Sequence, residues 1–546
     1  MQRVQKRLLS ADKLYEPSSN QPLLGESQLT EPSKQLSVLS PPAIYNPEAQ
    51  IGDFGIRGWL RTLHLFYFFL SFGLKLYLDK LAALSTAEEL DTRFQRFLYW
   101  FAKLRRRGIQ IATLNQRRAV WLTDKIAVLG PTFIKIGQTL STRPDIVPVE
   151  YVKEFARLQD QVPEFSNTKA WKIIERELGS APEEIFATID PQPIAAASLG
   201  QVYKAELKTG EVVAVKVQRP GVETLINLDL SIIRQLATYI ERKYPNIMFG
   251  IEWRPIIEEF AQIIFQELNY LQEAENAETF RKNFAQWKEI YVPTIYPDYS
   301  SRRVLVEEFI EGFKVDDIQG LSSNNFDPLS IVKLISKTYL KQLLEDGFFH
   351  ADPHPGNLRV MRDGRLAFFD FGMVGRLTSE TQTRLVDCFF YIVEKDVHGI
   401  VKALIDLKFV KEGFDAEEFR PAIEEIFAHY VGLKIGQLKF RELTQAISET
   451  LYNLPITFPA DITFVMRALT TIEGLGILID PSFSFFDTVK PYAKEFMLKR
   501  EGRHLRDRIF GQLMRGENGN ISWSKVWKLA KMAFKFYLGS KDSQKR

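Results

Sequence analysis

The stretch Gly347 to Arg376, GFFHADPHPGNLRVMRDGRLAFFDFGMVGR, decides how this chain is read. Asp352, then Asn357, then Asp370 opening an Asp-Phe-Gly triplet, stand at the spacings phosphoryl transfer needs. That chemistry asks for one carboxylate at the acceptor hydroxyl, and for an amide and a second carboxylate to hold Mg²⁺ against nucleotide phosphates. Leu358–Met361 and Arg365–Phe369 read as two short strands joined through Arg362-Asp363-Gly364, where Asp-Gly favours a tight hairpin. A hairpin closes its own ends, so Asn357 and Asp370 are expected side by side, as two ligands of one hard cation must be.

His350 and His354 also invite a zinc reading. With six His and one Cys in 546 residues, and no His or Cys cluster nearby, the sequence argues against it. His350 is better read as a brace of the loop and His354 as its cap.

Working outward, a net charge of +3 leaves no global demand for nucleic acid, and 45% hydrophobic residues suit a globular protein with ample core. Cys388, alone in the apolar run RLVDCFFYIV, reads as a buried thiol without a disulfide partner in a reducing compartment. Residues 1–50, rich in Ser, Pro, Gln and Asn, read as a tail with no secretory apolar region, which favours a bacterial interior. Residues 51–85 turn aromatic and apolar. The uninterrupted run Leu65 to Leu74 is half the ~20 residues that cross a bilayer. A helix lying in the membrane interface or docked on the protein is the preferred reading, with a single span over 59–78 as the alternative.

Residues 86–190 read as helix for most of their length and contain GPTFIKIGQTL. Lys135 and Gln138, three apart, project from one helical face. They suit a site and an ordinary salt-bridged surface equally well.

Residues 191–312 form the next segment, which opens as two alternating strands. AAASLGQVYKAELKTGEVVAVK holds Lys216 on the second strand of a hairpin turning at Lys208-Thr209-Gly210-Glu211. Ala195-x-Ala197-x-x-Gly200-x-Val202 has the spacing of the kinase phosphate loop G-x-G-x-x-G-x-V, with the first two glycines replaced. The Cβ atoms of Ala195, Ala196 and Ala197 restrict that loop, so with Ser198 it should be stiffer than a glycine-rich one. Lys216 needs a carboxylate to stay charged and aimed at the α and β phosphates. Glu267 and Glu273 are the candidates. On one helix from Glu258 to Phe284 they lie about 120° apart, so only one can face Lys216. The strand Arg303 to Phe309 leads into Glu311-Gly312, the hinge of a two-lobed arrangement. There the backbone around Glu308 and Ile310 would meet an adenine edge.

Together KIGQ, AAASLGQV, VAVK, the Glu267–Glu273 segment, HADPHPGN and DFG resemble the UbiB/ADCK family of atypical protein-kinase-like proteins over about residues 100–480. The resemblance implies a bilobal α+β kinase-like fold with a helical N-terminal extension, ATP or ADP with Mg²⁺ as ligands, and a tie to isoprenoid quinone biosynthesis. It further implies that Lys135 and Gln138 belong to the extension that covers the peptide site, that Glu267 engages this extension, and that Glu273 pairs with Lys216. One departure stands out: the family often carries Glu-x-Asp where this chain has Glu267-Leu268-Asn269.

Only a few residues follow Gly372 before Thr378-Ser379-Glu380 starts a helix, and no Ala-Pro-Glu follows. A peptide platform is therefore not expected. The acceptor expected is a small molecule or prenyl lipid, or water, with a nucleotide-switched scaffold and a protein kinase as the alternatives. Residues 313–500 read as a helical second lobe, with loops at Gly413, Pro455 to Pro459 and Pro481. Within 501–546, ISWSKVWKLAKMAFKFYLGSK reads as a basic amphipathic helix suited to an anionic membrane surface, where quinone-biosynthesis enzymes are the expected company.

Overall fold

The computed structural model describes residues 51–83, 96–100, 102, 111–141, 147–159, 164–243, 253–394, 396–409, 420, 421, 424, 460–485, 487–489, 491 and 492. The N-terminal tail, the loops expected at Gly413 and at Pro455 to Pro459, and the C-terminal basic segment lie outside them.

Four helices come first: α1 (Gly55–Ala83), α2 (Ile111–Leu129), α3 (Pro131–Leu140) and α4 (Val149–Phe155). The near-continuous helix expected here is thus broken into pieces. Gly130, at φ 103, sits in a region glycine tolerates, and Pro131 follows at the first helical position, ending one helix and starting the next. Leu65, Phe68, Ile126, Phe133, Ile134 and Leu158 bury together between these helices.

α5 (Asn167–Leu178) then covers one face of a five-stranded antiparallel sheet in the order β1 (Phe186–Ile189), β3 (Gly200–Leu207), β4 (Val212–Gln218), β6 (Val304–Glu308), with β2 (Ala195–Ala196) added beside β3. Side chains alternate across a strand, and the alternation sorts this sheet. Val213, Val215, Val217, Val304 and Val306 pack with Ala170 and Ile174 of α5. Ala214, Lys216, Leu305 and Glu307 are thereby turned to the opposite face, with Lys216 opposite Leu305 and Ala214 opposite Glu307.

Between β4 and β6 run α6 (Val222–Lys243), α7 (Trp253–Glu267) and α8 (Tyr270–Asn283). The second lobe holds β5 (Ile290–Tyr291), β7 (Gly312–Lys314), β9 (Leu358–Met361) and β10 (Leu366–Phe368) in one sheet, ordered β5-β10-β9-β7. The β9–β10 hairpin pairs as its Asp-Gly turn requires, Leu366 opposite Val360. β8 (Phe348–His350) pairs with β11 (Val374–Arg376); around them pack α9 (Pro328–Lys341), α10 (Ser379–Glu394) and α12 (Ala460–Ile479), with α11 (Val397–Asp406) against α10. Asp327 starts α9 by accepting from the backbone of Leu329 and Ser330.

α1 is docked by one face. Arg61 reaches the fully buried Asp229 of α6 at 2.7 Å and the Leu129 carbonyl at 2.8 Å, while Lys75 lies 4.9 Å over the Trp121 ring. Its other face leaves Trp59, Leu60, Leu63, Phe66, Tyr67 and Leu70 more than half exposed. Among the described residues, the helix long and apolar enough to cross a membrane is a different one, Ile462–Ile479 within α12, and nearly half of it is buried.

Candidate nucleotide and phosphoryl-transfer site

The β3–β4 hairpin places Lys216 at the back of the cleft, where its Nζ stands 2.5 Å from Glu273 Oε1 on α8 and 3.8 Å from Asp370 Oδ1. The loop from β2 into β3 folds over that lysine: Ala197 donates to the Gly200 carbonyl, and Val202 lies opposite Lys216. No alanine of this loop takes a positive φ. Gly200 is needed for close approach instead, since a Cβ there would stand 2.4 Å from the Tyr270 hydroxyl and 2.6 Å from the Val217 carbonyl. Ala195, Ala197, Ser198, Gly200 and Val202 line the cleft; Ala196 does not.

The helix expected from Glu258 to Phe284 is in fact two. It breaks at Leu268-Asn269, where the Leu268 carbonyl accepts from Gln218 Nε2 and the Asn269 side-chain oxygen is buried without a hydrogen bond. The two carboxylates still part company. Glu273 takes Lys216, and Glu267, at the end of α7, pairs with Lys135 of α3. Gln138 does not enter the cleft: its Nε2 donates to the Leu158 carbonyl at 3.0 Å. Gly137 allows this, because a Cβ there would stand 2.4 Å from Leu158 Cδ1. Lys135 is thus the group that the KIGQ motif delivers to the site, and Gln138 and Gly137 fix the helix that carries it.

The opposite wall is the loop after β8. His350 is fully buried; its Nδ1 accepts from the Asp352 amide at 3.2 Å and its Nε2 lies 3.4 Å from the Phe369 carbonyl. It is the brace the sequence suggested, and His354 caps the next turn by accepting from Gly356 N–H. Asn357 Nδ2 donates to the Asp352 carbonyl at 3.0 Å, and the Phe369 amide donates to the Asn357 carbonyl, so the hairpin's ends meet.

Lys135, Lys216, Asp352, Asn357 and Asp370 all border one cleft of about 770 Å³ that extends to the hinge at Phe309 to Gly312, Ile310 included. Glu308 borders the cleft as well. Its carboxylate turns away to accept from the Tyr291 hydroxyl and the Thr294 amide.

Charge in the cleft is tightly linked. Burial lowers the Lys216 pKa, but Asp370, Glu273 and Glu307 outweigh it and carry it well above the usual lysine value. Burial pushes Glu273 up to about 8 against the pull of Lys216. Burial likewise raises Glu267, with Lys135 opposing it. For Asp370 burial raises, but Lys216 and Lys135 outweigh it, so this carboxylate is held below its normal range. Burial lowers His350, which keeps the ring neutral as a hydrogen-bonding brace.

The donor set fits a hard divalent cation. Asn357 spends its amide N–H on the Asp352 carbonyl and keeps its side-chain oxygen. Asp370 is held at φ 63, outside the usual range for a residue with a Cβ, with its side chain half exposed in the cleft. Two oxygen donors at the joined ends of a hairpin, with room for phosphates and water, are what Mg²⁺ accepts.

Profiles of two known families match this chain: the ABC1 atypical kinase-like domain over residues 157–404 and the UbiB helical domain over residues 423–484. The chain belongs to the ABC1 atypical kinase-like family. Among its curated relatives, a Synechocystis protein, sll1770, is 41% identical over 73% of this chain and 68% of its own length. Another, sll0005, is 40% identical over 80% of this chain and 63% of its own. The chloroplastic Arabidopsis thaliana protein ACTIVITY OF BC1 COMPLEX KINASE 3 is 39% identical over 78% of this chain and 59% of its own. The chain therefore spans about three fifths of sll0005 and of the Arabidopsis relative.

Two neighbours of the site escaped the sequence reading. Arg467 of α12, in the segment matched by the UbiB helical domain, places Nη2 2.9 Å from Asp352 Oδ1. Its signal was a lone Arg in the apolar run DITFVMRALTT. Glu307 is buried on the cleft face beside Lys216; its signal was the pair Glu307-Glu308, of which only the second was placed at the hinge.

Proposed function

We propose that this chain binds ATP or ADP with Mg²⁺ and transfers, or hydrolyses, the terminal phosphoryl group for a small-molecule or prenyl-lipid acceptor at a membrane surface. The observation that carries this reading is that Lys216, Asp352, Asn357 and Asp370, drawn from both lobes, line a single cleft. Lys216, held by Glu273, is placed to clamp the α and β phosphates, and the loop from Ala195 to Gly200 covers them with backbone N–H groups. Bound at Asn357 and Asp370, Mg²⁺ would neutralise phosphate charge. Asp352, fixed by Arg467, accepts the proton of the attacking hydroxyl or orients water.

The acceptor class rests on three supports. β11 passes into α10 within a few residues of Gly372, which leaves no extended platform for a peptide. The exposed stripe Trp59, Leu63, Phe66 and Leu70 on α1 is an apolar face of the kind that beds into a lipid interface, and anionic lipid suits the Lys-rich C-terminal segment. The resemblance to the UbiB/ADCK family adds the tie to isoprenoid quinone metabolism and to its enzymes as partners, on the cytoplasmic side of a bacterial membrane.

The ion pair between Lys135 and Glu267 supports a second reading, a nucleotide-switched scaffold, because it lays a foreign cation beside the metal-site carboxylate. Phosphate release from ATP, measured with and without anionic vesicles and with a prenylated phenol, separates the two. Stimulated turnover supports the enzyme; near-zero turnover with intact nucleotide binding supports the scaffold. Phosphate appearing on a protein in trans would contradict the acceptor class.

A further inference from the structure

Glu307 is a buried carboxylate of the cleft to which the reading above gives no task. It lies on β6 opposite Ala214 of β4, on the cleft face of the sheet and one residue before the hinge. It is 7% exposed, and among the described residues no hydrogen bond or ion pair satisfies its carboxylate. Lys216 acts on it through charge alone, being already engaged by Glu273. An unpaired buried carboxylate is costly unless something supplies donors to it. Its neighbour Glu308 turns the other way and is fully engaged by Tyr291 and Thr294.

We propose that Glu307 is the residue that selects adenine: its carboxyl group meets the Hoogsteen edge of the purine and accepts from the exocyclic N6 amino group. This deepens the nucleotide-binding reading and rests on it. Hinge backbone can serve only one of the two N6 hydrogens, and the wall beside the hinge is where the second points.

The chemistry discriminates by donor pattern. Adenine offers an N6 donor next to the N7 acceptor, whereas guanine and hypoxanthine offer two acceptors, O6 and N7. An ionised Glu307 accepts from N6 and repels O6. A protonated Glu307 does still better with adenine, accepting from N6–H through its carbonyl oxygen and donating its O–H to N7, and cannot match both acceptors of a 6-oxopurine. Either form favours the amino purine, and a buried partner left unmatched by the wrong base enforces the choice.

The test is binding of Mg-ADP and Mg-IDP to the full chain: the two nucleotides differ at position 6 and in the proton on N1, and only the first difference faces Glu307, so the change in the ADP-to-IDP ratio between variants reports on it. Glu307→Gln retains an acceptor for N6 and a donor for N7, the pairing glutamine makes with adenine, so it should keep the ADP preference. Glu307→Met and Glu307→Ala lose both, and the ADP-to-IDP affinity ratio should fall about tenfold in each. An unchanged ratio in these two variants, with ADP still bound, overturns the role of Glu307 and leaves nucleotide binding standing. Failure of the unaltered chain to bind either nucleotide overturns both.

Discussion

Arg467 and Asp352, 115 residues apart in sequence, meet at 2.9 Å between guanidinium and carboxylate. The pair ties α12 to the residue proposed to handle the acceptor, so on that reading the helical domain sets the aim of the Asp352 loop. Arg467→Met should lower turnover about tenfold with nucleotide affinity unchanged, because Arg467 touches Asp352 and does not line the nucleotide cleft. Combined with Asp352→Asn, it should add little further loss. Steady-state phosphate release and ADP titration of the two single variants and the double variant check this.

Lys135, mostly covered, pairs with the buried Glu267 between the N-terminal extension and α7. Removing one partner strands the other charge, so Lys135→Met should cost about 3 kcal/mol. The double change Lys135→Met with Glu267→Gln should recover most of that. Urea denaturation of the three variants is the measurement.

Glu273 has its pKa raised by burial from its ordinary value, 4.5, to about 8. The folded chain therefore keeps a proton that the unfolded chain releases between those values. Its contribution to stability is fully present below pH 4.5 and declines as pH climbs toward 8. Glu273→Gln should gain stability relative to the unaltered chain as pH rises from 5 to 8, which denaturant midpoints at the two pH values will show.

Gly200 holds β3 against β4 and the Tyr270 hydroxyl. Gly200→Ala drives a Cβ into the Val217 carbonyl, a backbone atom that cannot step aside. It should cost about 1–3 kcal/mol and weaken nucleotide binding, whereas Ala196→Gly, outside the cleft lining, should leave affinity nearly unchanged. Thermal melting and ADP titration distinguish the two.

The hairpin from Asn357 to Asp370, the strand bearing Lys216 and the short passage into α10 were legible because each rests on local spacing and turn chemistry. The break at Leu268-Asn269 was not, since no Gly or Pro marks it. It is enforced from outside, by Gln218 bonding the Leu268 carbonyl. Gln138 stood as a site residue through the family resemblance alone, because helical spacing gives a face but not what the face meets; it meets the Leu158 backbone. Arg467 is a tertiary partner from beyond the kinase-like segment, which no local pattern can assign to Asp352. Glu307 was hidden because adjacent glutamates on a strand face opposite ways, and only the register against Ala214 says which one enters the cleft.

The central claim is that Asn357 and Asp370 hold a divalent cation against nucleotide phosphates. Calorimetric titration of ADP with Mg²⁺ and with chelator, on the unaltered chain and on Asp370→Asn, tests it most directly. The account predicts Mg²⁺-dependent binding that Asp370→Asn abolishes; equal affinity in the variant, or binding indifferent to Mg²⁺, would contradict it.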